Sequence, residues 1–354
     1  MEPWLGEEEK QALIEYLDSG GWLTEHTKTE EFETMVANYV GSKYALAVSN
    51  GTVSLSVAMM ALGLGREDEV IVPDFTMIAS ATSVILAGAR PVLVDVDPST
   101  LCLDLEKVEA AITSRTKAVV LVSLNGRCPD MKKILTLVKN HGLLLIEDAA
   151  QSLGSRYKNK HLGTFANVGS FSFSPPKIIT TGQGGILVTN DKELYHKMLL
   201  VKNFGRQMKG VDEYVILGYN FKFTDLQAVI GIEQMKKLPS RVKRKKEMYK
   251  LYRDLLKGVT QIDFIETDLS DTTPWFIDIL IEDRNDLASF LNRQNIDTRP
   301  FYPAIHTQKP FSHVKGDFKN SEAVSKRGLW LPSSSFLTDD EIMRICAEIR
   351  AYFK

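Results

Sequence analysis

A carboxylate, a lysine, a serine and a run of glycines lie close together between residues 147 and 185. Asp148 follows an apolar run, Lys177 follows another one that contains Ser172, and a glycine-rich segment spans residues 182–185. A carboxylate can keep a pyridine nitrogen protonated, an amine can form a Schiff base, and small residues admit a phosphate. The pattern therefore predicts chemistry on pyridoxal 5′-phosphate (PLP).

Each of these residues also has an ordinary explanation. Asp148 can be an acidic strand end, and Lys177 can be a surface lysine on a loop. Gln151 shares a face with Asp148 if the segment is helical, and it can donate to the cofactor ring oxygen or lie on a helix surface. Lysines are seldom buried without a role. The serine and glycines around Lys177 favour it as the Schiff-base residue, with Asp148 facing the ring nitrogen and Ser172 bonding the phosphate.

A second candidate phosphate site lies at residues 49–52, Ser-Asn-Gly-Thr, which follow a predicted strand and begin a helix. The N–H groups of Gly51 and Thr52, together with the Thr52 hydroxyl, can bind an anion at the positive end of the helix dipole. Many helices begin with such residues. The segment is therefore predicted to bind a phosphate only because a candidate lysine and acid are already present.

Short apolar runs alternate with helical patterns from about residue 45 to residue 190. Several runs, such as Val119–Val122, do not alternate polar and apolar residues, which is typical of strands buried on both faces. We predict an α/β fold with a mostly parallel sheet flanked by helices, in which ligands bind beyond the carboxyl ends of strands. The predicted strands are Ala45–Val48, Glu69–Val72, Pro91–Asp95, Ala118–Leu124, Leu143–Ile146, Gly169–Phe173 and Gly185–Thr189. The predicted helices are Thr52–Leu62, Thr76–Leu86, Leu105–Ile112 and Met131–His141.

The C-terminal part predicts a smaller α+β domain. A helix, Asp225–Lys237, is followed by a basic segment, Arg241–Lys250, that we expect to link the domains with its charges on a solvated face. The predicted domains are residues 1–244, which bind PLP and include an N-terminal arm, and residues 245–354. The elements predicted beyond the link are the strand Trp275–Ile281 and the helices Arg284–Asn295 and Asp339–Phe353.

Six motifs resemble those of the DegT family, which are PLP-dependent sugar aminotransferases of fold-type I. The resemblance covers nearly the whole chain, in order and at the family spacing. The motifs are Asn50-Gly51-Thr52, Val72-Pro73 with Thr76, Gly88-Ala89 with Pro91 and Asp95, Glu147–Gln151, Ser170–Phe173 with Lys177 and Gly182, and Gly218–Phe221 with Asp225.

The resemblance implies roles for these residues. Lys177 carries the cofactor and Asp148 faces its ring nitrogen, Gln151 bonds the ring hydroxyl, and Gly51, Thr52 and Ser172 hold the phosphate. Asn220 reaches the phosphate of a partner subunit, which implies an obligate homodimer with shared active sites. Related dehydratases have a histidine in place of the lysine, so the lysine implies amino transfer.

Two positions depart from the family pattern. Met77 stands where an aromatic residue usually stacks on the pyridine ring, and a thioether packs on a ring less rigidly. The segment Ser123-Leu124-Asn125-Gly126 replaces the usual His-Leu-Tyr-Gly.

The segment Asp297–His306 resembles family members that aminate carbon 4 of GDP-4-keto-6-deoxymannose with L-glutamate as donor, giving a perosamine-like sugar for surface polysaccharide. Arg299 suits a diphosphate or carboxylate, either Tyr302 or Phe301 can pack on a base, and His306 can bond a sugar or phosphate. A proline-rich surface loop is an equally good interpretation of each residue alone. Open alternatives are UDP- or dTDP-linked keto sugars aminated at carbon 3 or 4, a small phosphorylated ketone, and a PLP-binding regulator without turnover.

Composition excludes several other classes of protein. The formal net charge of -2 is not that of a dedicated nucleic-acid binder. No apolar run approaches the ~18 residues of a membrane helix, and the acidic start does not resemble a secretory signal. The three cysteines and six histidines show no metal-ligand spacing, so we expect no metal. We expect a cytoplasmic protein.

Overall fold

The computed structural model describes residues 3–208 and 210–354 of the chain. Its strands are β1 (Tyr44–Val48), β2 (Glu69–Pro73), β3 (Arg90–Val94), β4 (Thr116–Val122), β5 (Leu144–Asp148), β6 (Arg156–Tyr157), β7 (Lys160–His161), β8 (Val168–Ser172), β9 (Gly185–Thr189), β10 (Asp263–Phe264), β11 (Ile277–Leu280), β12 (Arg299–Pro300) and β13 (Gly328–Leu331). Its helices are α1 (Glu7–Asp18), α2 (Thr27–Val40), α3 (Gly51–Ala61), α4 (Ala79–Leu86), α5 (Leu105–Ala110), α6 (Met131–Asn140), α7 (Lys192–Lys202), α8 (Asp225–Leu255), α9 (Arg284–Arg293), α10 (Lys319–Arg327) and α11 (Asp339–Tyr352).

A seven-stranded sheet forms the centre of the large domain, with the strand order β1-β9-β8-β5-β4-β2-β3. Only β9 runs against the others, because it is antiparallel to both of its neighbours while the remaining pairs are parallel. The predicted α/β class with a mostly parallel sheet is confirmed. The carboxyl ends of six strands consequently meet at one edge.

The strands are buried on both faces, as their continuous apolar runs predict. In β4, Val120 packs into one core, whereas Val119 and Leu121 pack into another on the opposite face. Helices cover both faces of the sheet, so each core lies between a sheet face and helices. This rigid double-sided packing fixes the strand ends from which the candidate site is built.

A second sheet, with the order β10-β11-β13-β12, forms the small domain and is antiparallel throughout. Its apolar residues pack with α9, α11 and the C-terminal part of α8, including Tyr249 and Tyr252. The predicted division after residue 244 falls inside α8 and stays a prediction.

The predicted break after Lys237 is wrong, because α8 is one helix of 31 residues that contains Pro239. Packing of Met235 and Leu238 in the core outweighs the hydrogen bond that the proline cannot make. The solvated face predicted for the basic run is wrong for two of its residues. Arg241 and Lys245 are buried and donate hydrogen bonds to backbone carbonyls. Among the helices of the described residues, none is long and apolar enough to cross a bilayer.

Two local predictions near the sheet edge are also wrong. Residues 149–152 form a turn, so Gln151 does not share a helix face with Asp148. The helix predicted from Thr76 begins at Ala79, because residues 74–78 form a loop that buries Phe75 in the core. This loop carries Met77 to the carboxyl edge of the sheet.

Candidate active site

The site is built at the carboxyl edge of the large sheet. Asp148 is the last residue of β5, and Ser172 is the last residue of β8. Asn50 comes soon after β1 and begins α3 as its N-cap. Because these strands end at the same edge, residues far apart in the sequence meet there.

Asp148 is a buried carboxylate with two hydrogen-bond donors. The Ser80 hydroxyl donates to its Oδ2 over 2.7 Å, and the Ala150 N–H donates to its Oδ1 over 3.2 Å. Burial nevertheless raises the pKa of Asp148, and these donors and the charge of Lys177 only partly oppose that effect. A positively charged group beside this carboxylate would offset its burial and favour the ionised form.

Lys177 lies in a cavity that is lined by Ala150, Gln151, Leu153, Ser172, Ile178, Thr273 and Trp275. Burial lowers the pKa of Lys177 to about 8, although the charge of Asp148 acts in the opposite direction. A fraction of the amine is therefore neutral near physiological pH, which an ordinary lysine is not. The predicted nucleophile has the environment that nucleophilic lysines need.

The N-terminus of α3 lies directly against the end of β8. A Cβ atom built on Gly51 would lie 2.9 Å from the Cβ of Ser172, so only glycine permits this approach. The Asn50 side chain accepts from the N–H of Val53, while the first N–H groups of the helix, from Gly51 and Thr52, have no partner within the helix.

These residues fit PLP as a set. The α3 N-terminus and Ser172 offer donors for a phosphate, and Asp148 offers a carboxylate for a ring nitrogen. The side-chain oxygen of Gln151 accepts the N–H of Asn125 over 2.9 Å, which leaves its amide N–H groups as donors for a ring oxygen.

Met77 and Asn220 have different surroundings. Met77 is about half exposed, and its sulfur accepts the N–H of Ala79 over 3.2 Å, so the thioether is held near the edge of the sheet. Asn220 is exposed and does not line the cavity around Lys177.

Of the predicted substrate residues, Arg299 begins β12 of the small sheet, and Tyr302 and His306 follow that strand. The guanidinium of exposed Arg299 lies 5.6 Å from the ring centre of Tyr302 and 5.4 Å from that of Trp330. Its charge contributes to lowering the pKa of Lys177, and the Asp148 charge to raising that of Tyr302, whose main cause is burial. Arg299 and Tyr302 are therefore electrostatically coupled to the site.

His306 is held by protein groups. Its Nδ1 lies 2.7 Å from Oδ2 of Asp74, its backbone N–H donates to the same carboxylate, and its Nε2 lies 3.5 Å from Glu322. Any hydrogen bond to a substrate falls to Nε2, since Asp74 already engages Nδ1.

Sequence reasoning missed Ser80, Trp275 and a contact of Asn125. Asn125 exchanges two hydrogen bonds with the backbone of Phe276, 151 positions away. These contacts join distant segments, so no local spacing reveals them. In the sequence, only the replacement of the usual tyrosine by Asn125 indicated that this segment differs from the family.

Known proteins resemble this chain over its whole length. Residues 3–350 match the DegT/DnrJ/EryC1/StrS aminotransferase family. GDP-perosamine synthase of Escherichia coli O157:H7 is 36% identical over 355 residues, which cover 99% of this chain and 97% of the relative.

Solved structures of aminotransferases also resemble this chain over nearly its whole length. An aminotransferase of the family from Brucella abortus superimposes with a TM-score of 0.93 at 30% identity, covering 98% of this chain and 95% of that one. DesI, solved in the presence of its TDP-sugar product, has a TM-score of 0.91 at 28% identity, with coverage of 99% and 91%. The predicted enzyme class and cofactor are confirmed. The chain belongs to the DegT/DnrJ/EryC1/StrS aminotransferase family and is a PLP-dependent aminotransferase.

Proposed function

We propose that this enzyme transfers the amino group of L-glutamate to the ketone of a GDP-linked 4-keto-6-deoxy sugar of the mannose type, for surface polysaccharide. The observation that carries amino transfer is the buried amine of Lys177, in one cavity with Gln151 and Ser172 and under the charge of Asp148. The proposed sugar rests on the similarity to GDP-perosamine synthase over nearly the full length of both chains.

When bound, PLP supplies an aldehyde for amines and a cationic ring that stabilises negative charge on the neighbouring carbon. Lys177 acts on the substrates as base and acid. Its Nζ removes the proton from the α-carbon of glutamate in the first half-reaction and delivers a proton to the aminated sugar carbon in the second. Because its pKa is lowered, this amine can both accept and donate a proton near neutral pH.

Asp148, Gln151 and Met77 orient the cofactor ring. The Ser80 hydroxyl and the Ala150 N–H fix the carboxylate of Asp148, so that it stays aligned without reorganising during the reaction. Gln151 is fixed by Asn125 in the same way. Gly51, Thr52 and Ser172 hold the phosphate.

We also propose a homodimer in which Asn220 completes the phosphate site of the partner. The segment before Asn220 exposes a row of large apolar side chains, which is unusual for a surface that faces only water. They are Met208, Val211, Tyr214, Val215, Ile216, Leu217 and Tyr219. A second copy of the chain would cover this row and bring Asn220 to the other site.

Arg299, Tyr302 and His306 are the proposed substrate residues. Arg299 is exposed, and its planar guanidinium suits a diphosphate or the carboxylate of glutamate. The neighbouring rings of Tyr302 and Trp330 limit its movement, which favours a defined contact. A regulator without turnover would not need the buried, partly neutral amine of Lys177.

The test is a panel of keto sugars offered to enzyme that has first been converted with L-glutamate. The panel contains GDP-, UDP- and dTDP-linked 4-keto-6-deoxy sugars, their 3-keto forms and a small phosphorylated ketone. We expect release of 2-oxoglutarate in the first step and the fastest amination with the GDP-linked 4-keto sugar. Faster amination of another compound would overturn the proposed substrate. No release of 2-oxoglutarate would overturn glutamate as donor.

Two variants complete the test. Lys177→Ala should abolish both half-reactions, because no other amine lines the cavity within the described residues. Lys132→Ala, on the exposed face of α6, is the matched control and should react at the normal rate.

A further inference from the structure

The indole of Trp275 contacts the amine of Lys177. The Nζ atom of Lys177 lies 3.8 Å from the centre of the indole ring. Trp275 is buried and lines the same cavity. None of the roles proposed above uses this tryptophan, although it touches the atom that is proposed to react.

Trp275 is fixed relative to the backbone of Lys177. Its indole N–H donates to the carbonyl of Pro176, the residue before Lys177, over 2.6 Å. Its own carbonyl accepts from the buried amine of Lys245 over 2.8 Å, and Lys245 also donates to the carbonyl of Ser333. The indole is therefore tied to the residue before Lys177 and the backbone of Trp275 to α8, so the ring cannot turn away without breaking a partly buried hydrogen bond.

The neighbouring residue is fixed as well. Asn125 donates to the carbonyl of Phe276 over 2.9 Å and accepts its N–H over 2.6 Å. Asn125 has a φ of 52°, which asparagine adopts more readily than most residues. The segment that departs from the family pattern thus anchors the strand entry that carries Trp275.

The indole face has two properties that suit a proton-carrying amine. Its negative face attracts an ammonium group, which opposes the effect of burial. It offers no lone pair that would hold the N–H groups of the neutral amine in one direction, unlike a carboxylate or carbonyl. The charged groups that act on Lys177 are Asp148 from β5, which stabilises the ammonium, and Arg299 from β12, which destabilises it.

We propose that Trp275 is a positioning residue. When Lys177 is not bound to the cofactor, the indole holds its side chain in the cavity by attracting the protonated amine. Pro176 holds the indole itself, while Asn125 and Lys245 hold the backbone that carries it. The inference rests on the proposed role of Lys177 as the reacting amine.

The test is the titration of Lys177 in the cofactor-free protein. The rate of acylation of Lys177, located by peptide mass and normalised to exposed Lys132, is measured against pH. Trp275→Leu should increase the acid dissociation constant of the amine about 2- to 5-fold, because the ammonium loses its attraction. In the loaded enzyme, Trp275→Leu should lower kcat with L-glutamate more than it changes KM.

A second route avoids the loss of a buried side chain. Replacing all four tryptophans by a polyfluorinated tryptophan keeps the shape but removes the negative ring face, and should shift the constant in the same direction in the parent but no further in Trp275→Leu, which separates Trp275 from Trp330 beside Arg299. Phe290→Leu, an aromatic residue of α9 outside the cavity, should leave it unchanged. An unchanged constant in both Trp275 experiments overturns the inference but not the proposed function. Cofactor attached to a residue other than Lys177 overturns both.

Discussion

At the scale of single residues, the chemistry depends on two pKa values that burial shifts in opposite directions. Burial lowers the pKa of Lys177 to about 8 and raises that of Asp148, and each charge partly opposes the shift of the other. A group that places positive charge beside Asp148 would favour its ionised form. Both residues could be predicted as site residues from the sequence, because an acid and a lysine at strand ends suggest chemistry even without coordinates.

The lowered pKa of Lys177 predicts how the cofactor-free protein reacts with amine reagents. The neutral fraction of the amine should rise with a midpoint near pH 8, since burial disfavours the ammonium form. Acylation of Lys177 against pH measures this midpoint, with exposed Lys132 as reference. A midpoint close to that of an ordinary lysine would contradict the burial of the amine.

Met77→Tyr should tighten PLP binding about 2- to 12-fold, because an aromatic ring stacks more rigidly than a thioether. The dissociation constant is measured by titrating the cofactor-free variant with PLP. Met77→Leu is the control, and it should bind PLP no more tightly than the parent. Equal constants for Met77→Tyr and the parent would mean that residue 77 does not face the ring.

At the scale of elements, Asp225 at the start of α8 anchors the start of α2. Its carboxylate accepts the hydroxyl of Thr29 over 2.6 Å and the N–H groups of His26 and Lys28 over 2.8 and 3.0 Å. Burial alone would raise the pKa of Asp225, but these donors outweigh burial and lower it. Asp225→Asn should reduce the free energy of unfolding by about 1–3 kcal/mol at pH 7.

The pH dependence of this effect has a definite sign. Because the folded protein holds the Asp225 carboxylate with a lowered pKa, its stabilisation is present above about pH 4 and disappears as the pH falls through the folded value. Urea unfolding at several pH values measures the difference between parent and variant. Asp104→Asn, which exchanges one good N-cap for another at α5, should change little. A difference that grows on acidification would contradict the assignment.

Elements of the large sheet were predictable because strands buried on both faces leave continuous apolar runs, and the bounds of β9 were predicted without error. The C-terminal end of α8 was not predictable, because packing of Leu238 in the core overrides the local effect of Pro239. The contacts of Trp275 and Asn125 were not predictable either, since they join segments about a hundred or more positions apart. Local patterns specify elements, whereas such contacts depend on the assembled fold.

At the scale of the whole molecule, the proposed sharing of sites between subunits predicts complementation between two defective variants. Lys177→Ala lacks the reacting amine, and Asn220→Ala lacks the group proposed to reach the partner's phosphate. A mixed dimer contains one site with both defects and one intact site, so random exchange of subunits should restore about a quarter of the parent activity. Activity is measured after the two variants are mixed, dissociated and reassembled. No gain over the separate variants would contradict a site shared between subunits.

Borohydride reduction of the PLP-loaded enzyme, followed by digestion and peptide mapping, shows directly which residue carries the cofactor. We expect the cofactor to become fixed to the peptide that contains Lys177 and the visible absorption band to disappear in the same step. Cofactor fixed to another lysine, or to none, would mean that Lys177 is not the reacting amine.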